Sequence, residues 1–113
     1  NTILLADLHA LRALLAQGWC QGTDARDASG NLVMLDSVYA CYWCLGGGIY
    51  KIACPSGKRR GASRNSCKRV ARMESAVRAE IDGPYVAWND VSGRTQAEVL
   101  AMLDRVIATA MIK

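Results

Sequence analysis

The chain of 113 residues has no phenylalanine, one histidine, two prolines and three tryptophans. Without phenylalanine, most of a core has to come from Leu, Ile, Val, Ala and Met. With His9 as the only imidazole, a cysteine nucleophile has one candidate base. No apolar run approaches the roughly 20 residues that a bilayer-spanning helix needs, so no membrane partner is expected. There is no GxxxxGK[ST] phosphate loop, no convincing helix-turn-helix text and no internal repeat. The apolar segment 3-ILLADLHALRALLA-16 is interrupted by Asp7, His9 and Arg12. It reads as an amphipathic helix and not as a secretory leader.

Half of the chain is apolar (51%), enough for residues 1–113 to form a single domain with its own core. The five cysteines, Cys20, Cys41, Cys44, Cys54 and Cys67, are odd in number and irregular in spacing. That pattern favours free thiols in a reducing, cytoplasmic compartment over a disulfide framework. The net charge of +4 is concentrated locally. Between Lys58 and Arg78 lie eight of the 14 basic residues and one of the ten acids, Glu74. The rest of the chain, with six basic and nine acidic residues, is net acidic. A field of this kind suits an anionic partner.

Periodicity predicts an all-α domain of about four helices, with a structured loop before the last one. Leu4, Leu8, Leu11 and Leu15 give a first helix over Thr2–Gln17, with Gly18 as its C-cap. The turn-rich segment from Gln21 to Asn31 reads as a loop. A second helix is expected from Asp36 or Ser37, carrying Cys41, Cys44 and Leu45. Gly46, Gly47 and Gly48 weaken it unless another backbone packs closely there. A third helix is expected over Ser63–Ile81. Its apolar stripe is Val70, Met73, Val77 and Ile81, and Arg64, Lys68 and Arg72 recur at i, i+4 and i+8 on the opposite face. Asp82-Gly83-Pro84 marks a break, and residues 85–94 read as the structured loop. Thr95 and Glu98 form a capping box that opens the last helix, whose stripe is Leu100, Leu103, Ile107 and Met111. The fragments 31-NLVML-35 and 85-YVA-87 are too short to assign as strands.

Several constellations suggest chemistry. Cys41 and Cys44 with Cys54 and Cys67 give four thiolates, but without the second paired knuckle of a zinc site, so no metal is expected. A redox role for 41-CYWC-44 lacks the βαβ context, and the glycine run is better explained by close helix packing. His9 could serve Cys20 as a base, although a surface or core histidine is the simpler reading. Asn89 and Asp90 after Trp88 could bind a ligand. They could equally satisfy free backbone groups at a turn. Lys58, Arg59, Arg60, Arg64, Lys68 and Arg72 could contact phosphates or an acidic protein surface, or simply form a solvated face.

Read in order, the elements Gly18-Trp19-Cys20-Gln21-Gly22, Ala25-Arg26-Asp27, Trp43-Cys44-Leu45 with its glycines, Trp88-Asn89-Asp90 and 93-GRTQAEVLAMLDRVI-107 are recognisable. Together they resemble a family of small bacterial, plasmid and phage proteins that carry a domain of unknown function. The resemblance implies a mostly helical cytosolic domain, often encoded on mobile elements, with no established activity, substrate or cofactor. Cys20 and Cys44 fall on its pattern, whereas Cys41, Cys54, Cys67 and the basic stretch 58-KRRGASRNSCKR-69 depart from it. Trp19, Cys20, Trp43, Cys44, Trp88, Asn89 and Asp90 are therefore expected to converge, with the tryptophans in one cluster and the polar pair fastening the loop.

Two functional readings follow. The first is a non-enzymatic interaction protein with no catalytic residues and no cofactor, which binds an acidic protein or nucleic acid through the basic surface. A phage or mobile-element inhibitor of the anti-CRISPR type is one specific version. The second is a small thiol-dependent enzyme or ligand-binding protein centred on Cys20, Asn89 and Asp90. The choice between protein and nucleic acid, and the oligomeric state, stay open at this level.

Overall fold

A computed structural model describes residues 1–56 and 59–112. Among them are five helices and one two-stranded ribbon, in the order α1 (Thr2–Gln17), β1 (Ala25–Arg26), β2 (Tyr42–Trp43), α2 (Leu45–Ala53), α3 (Arg64–Ile81), α4 (Tyr85–Asn89) and α5 (Gln96–Ile112). The domain is all-α. None of the helices among the described residues is long and apolar enough to cross a membrane.

Helix α1 begins where Asn1 Oδ1 accepts the Ile3 and Leu4 N–H groups at 2.9 and 3.2 Å, relieving donors that a helix start leaves without intrahelical partners. It buries Leu8, Leu11 and Leu15. Gly18 follows the helix in extended backbone, at φ −174° and ψ 132°, so it is not a left-handed cap. Its value is spatial: a Cβ there would stand 2.0 Å from the Cys41 carbonyl oxygen. That close approach lets β2 run between two neighbours. Trp43 donates its backbone N–H to Gly18 and accepts from Cys20, both at 3.1 Å, while Ala25 and Arg26 pair antiparallel with Trp43 and Tyr42.

The second helix starts later than periodicity predicts. Residues 36–43 contain turns and β2, and Cys44 is the N-cap, its sulfur accepting the Gly47 N–H at 3.2 Å. Gly46, Gly47 and Gly48 therefore form the first turn and are all buried. A Cβ on Gly47 would lie 2.2 Å from the Asp24 carbonyl oxygen, and one on Gly48 would lie 2.8 Å from Leu11. The glycines admit the loop after α1 on one side and α1 itself on the other.

Helix α3 is capped by Ser63, whose Oγ accepts the Ser66 N–H at 3.1 Å, and it ends on Asp82 in the left-handed region at φ 54°. It buries Ser66, Val70, Met73 and Val77. The segment read as a loop after Pro84 contains α4, a single helical turn and a little more, too short for periodicity to reveal. Helix α5 opens on the capping box: the Thr95 N–H donates to Glu98 at 2.9 Å and the Glu98 N–H donates to Thr95 Oγ1 at 3.2 Å. Its buried face is Val99, Met102, Leu103, Val106 and Ile107. Leu100 is only half-buried and Met111 is exposed, because α5 packs on both α1 and α3 and its contact face turns toward the groove between them. One contiguous core runs through α1, α2, α3 and α5 and includes Ala25, Trp43 and Tyr85.

At the edge of this core a charged pair links helices. Asp7 on α1 is buried, and its carboxylate accepts two hydrogen bonds from Arg69 on α3, at 2.8 and 2.9 Å. The same guanidinium reaches the Ile52 and Ala53 carbonyls at the end of α2, at 3.2 and 3.5 Å. Arg69, read from sequence as part of the basic run, is thus a staple joining three helices.

Candidate functional site

Asn89, only 1% exposed, sits at the end of α4 and closes the loop after α1. Its Oδ1 accepts the Trp19 indole N–H at 2.8 Å and the Leu45 N–H at 3.1 Å. Its Nδ2 donates to the Cys20 carbonyl at 3.2 Å and to Asp90 Oδ1 at 2.8 Å. Both ends of the amide are thereby satisfied internally, as burial of a polar side chain requires. Asp90 Oδ1 also accepts the Gly22 N–H at 3.1 Å. Gln21 reaches back and donates to the Asn89 and Val91 carbonyls, each at 2.9 Å.

All three tryptophans lie around this knot: Trp43 is part of the core, and Trp19 and Trp88 pack against it. Trp19 and Trp43 are joined by a parallel backbone bridge, and Trp19 is tied to Asn89, the residue after Trp88. Trp88 packs against the core half-buried, with the Arg94 guanidinium 3.9 Å from its ring centroid and donating to its carbonyl at 3.0 Å. A cation over an indole face is favourable. Trp43 Nε1 is buried and has no hydrogen-bond partner among the described residues.

The two pattern cysteines lie beside the knot and are held as thiols. Cys20 is buried and its Sγ approaches the Thr23 carbonyl at 3.8 Å. Burial, with the neighbouring Cys44 second, pushes its pKa up to about 11. The Cys44 thiol is also raised, chiefly by burial, against the opposing effect of the Gly47 N–H. Both shifts oppose the thiolate that nucleophilic chemistry needs. His9 is exposed on α1. No group of three or more His, Cys, Asp or Glu side chains among the described residues is placed to hold a metal ion.

Asp24 and Arg59 connect the knot to the basic segment. The pair is bidentate, at 2.7 and 2.9 Å, and the Arg59 guanidinium lies 4.2 Å from the Tyr50 ring centroid. Two clefts meet at this pair. The smaller, about 230 Å³, is lined by Gly22, Cys44, Gly46, Val86 and Asp90 among others. The larger, about 450 Å³, has Val33, Met34, Leu35 and Asp36 on one side and Arg59 and Arg60 on another.

Of the residues read as a basic surface, Arg59 is engaged internally, as is Arg69 of the same basic stretch. Arg60, Arg64, Lys68 and Arg72 are exposed, and none of them forms an ion pair or side-chain hydrogen bond with another described residue. Lys58 lies outside the described residues. Sequence reading missed Gln21, Asp24 and Arg94 as fasteners, and also a group of exposed apolar side chains: Leu32, Met34, Val38 and Tyr39. The signal for Leu32 and Met34 was 31-NLVML-35, an apolar fragment too short to assign as a strand; Val38 and Tyr39 lie beyond it.

No curated protein and no solved structure matches the chain. A family model does match, over residues 2–109. The chain belongs to that family, a family of unknown function (DUF6197).

Proposed function

We propose that this protein is a non-enzymatic interaction module that binds an anionic macromolecule through α3 and the loop leading into it. The observation that carries this reading is the contrast within one basic segment: Arg59 and Arg69 serve the fold, whereas Arg60, Arg64, Lys68 and Arg72 are left exposed without a counter-ion among the described residues. Like charges along one helix face repel one another and add nothing to folding, but they attract an anionic partner and speed its encounter. The mobile-element setting implied by the resemblance makes an accessory protein or inhibitor of a host complex, of the anti-CRISPR type, the specific form of this proposal.

The competing reading, a thiol-dependent enzyme or ligand-binding protein at Cys20, Asn89 and Asp90, has the cleft of about 230 Å³ beside Cys44, Asn89 and Asp90 in its favour, but its polar groups are already engaged. Asn89 is saturated by the protein's own groups, and Cys20 is buried with its pKa raised.

Retention on immobilised heparin, and binding to polyglutamate and to a short DNA duplex, tests the proposal in the wild type and in the Arg60→Ala/Arg64→Ala/Lys68→Ala/Arg72→Ala variant. The wild type should bind at least one of these polyanions, with affinity falling as salt rises. The variant should lose that binding while keeping its helical circular dichroism. Equal behaviour of the two proteins toward all three probes would refute the proposal.

A further inference from the structure

Resting on that reading, we infer that the partner is a protein rather than a nucleic acid: an acidic segment that places a large apolar side chain in the cleft beside Met34. The loop before β2 exposes Leu32 at 67%, Met34 at 73%, Val38 at 90% and Tyr39 at 74%. Single exposed apolar residues are ordinary, but large ones gathered in one loop mark an interaction surface.

This loop is firmly built. Val33 donates its N–H to the Ala25 carbonyl at 3.3 Å, Ser37 to Met34 at 3.0 Å and Cys41 to Arg26 at 2.9 Å. The Tyr39 N–H donates to Ser37 Oγ at 3.1 Å, and Leu35 anchors the segment in the core. Its exposed side chains are thus presented on an ordered backbone, which lowers the ordering cost of binding. Methionine adapts to the shape of a partner, and tyrosine is enriched among residues that dominate binding energy.

Beside the loop, the cleft of about 450 Å³ has Val33, Met34 and Leu35 on one wall and Arg59 and Arg60 on the other. Of its carboxylates, Asp24 is neutralised by Arg59. Arg60 belongs both to the cleft and to the start of the uncompensated file that continues through Arg64, Lys68 and Arg72, so apolar and cationic surfaces join at one residue. An apolar centre with a charged rim is the anatomy of a protein–protein interface. A phosphate backbone is bound by the cations alone and gains nothing from exposed Leu32, Met34 and Val38. Of the four, only Tyr39 offers a ring on which a base could stack.

A displayed library of random 12-residue peptides, selected on the immobilised protein, tests the inference. The enriched peptides should share a large apolar residue flanked by Asp or Glu. Met34→Asp and Tyr39→Ala, both at exposed positions, should each weaken a synthetic consensus peptide by about 30-fold, the effect of losing one dominant contact, without changing the circular dichroism. The quadruple basic variant should bind the same peptide more weakly and with a shallower salt dependence than the wild type. Three results would overturn the inference: no enrichment, a consensus without acidic residues, or binding indifferent to Met34→Asp and Tyr39→Ala. So would concentration-dependent dimers in sedimentation that Met34→Asp dissolves, since the patch would then be covered by a second copy. If DNA binds and responds only to the basic variant, the inference fails and the proposed function stands. If an apolar peptide binds and ignores the basic variant, the proposed function itself fails.

Discussion

Asn89 and the Arg60–Arg72 file are opposite uses of polar side chains in one small protein. Asn89 is 1% exposed and gives both ends of its amide to Trp19, Leu45, Cys20 and Asp90. Arg60, Arg64, Lys68 and Arg72 are exposed and give nothing to the described residues around them. The difference teaches where to look for function. A polar residue with every bond satisfied inside the fold is accounted for by stability, whereas a file of exposed charge without a counter-ion among the described residues adds little to it and is where a partner is proposed.

The sharpest way to break the comparison is Asn89→Ala. It strands the Trp19 indole N–H, the Leu45 N–H and the Cys20 carbonyl, and a buried unsatisfied group costs about 1–3 kcal/mol. A loss of about 3–5 kcal/mol is expected, read as a lower urea midpoint with an unchanged slope. A loss below about 1 kcal/mol would mean that the knot does not hold the loop. Next in size is Gly47→Ala. Its new Cβ meets the Asp24 backbone, not a yielding side chain, and overpacking of this kind costs about 2–3 kcal/mol. The same denaturation curve should show Gly83→Ala near neutral, because a Cβ there meets nothing within 4 Å.

These two sites also show what was legible in the sequence. Helices α1 and α3 announced themselves through leucine and valine spacing, and α5 through the Thr95–Glu98 box. Helix α2 did not. Its cap is a cysteine, an unusual choice, and its first turn is the glycine run that propensity reads as a weakness. The reason for the glycines, an approaching loop backbone at Asp24, is a long-range contact invisible to local pattern. Convergence of the motif residues followed from the resemblance, but the direction of each hydrogen bond did not. The division of the basic segment was hidden as well: Arg59 and Arg69 look like their neighbours until Asp24 and Asp7 arrive from α1 and its following loop.

A smaller effect follows from Cys20. Its pKa stands at about 11 against an ordinary value of 9.0, so the folded protein keeps a proton that the unfolded chain releases first. The contribution of Cys20 to stability is therefore level below about pH 8 and is lost as pH rises from about 9 toward 11. Urea midpoints across that range should decline in the wild type and decline less in Cys20→Ala. A midpoint that rose with pH would contradict the assignment. In thiol labelling at neutral pH, exposed Cys67 should react well before buried Cys20. Thr95→Ala, which removes only the cap of α5, should cost about 1 kcal/mol in the same unfolding assay.

The smallest effect on stability belongs to the basic file, and it is the most informative about function. The most direct measurement pairs the urea midpoint with heparin retention for the Arg60→Ala/Arg64→Ala/Lys68→Ala/Arg72→Ala variant. The expected result is an unfolding free energy unchanged within about 0.5 kcal/mol, as for surface positions without partners, together with loss of the salt-sensitive retention expected of the wild type. A variant that unfolds more easily, or that is retained as strongly as the wild type, would contradict the claim that these charges are held for a partner.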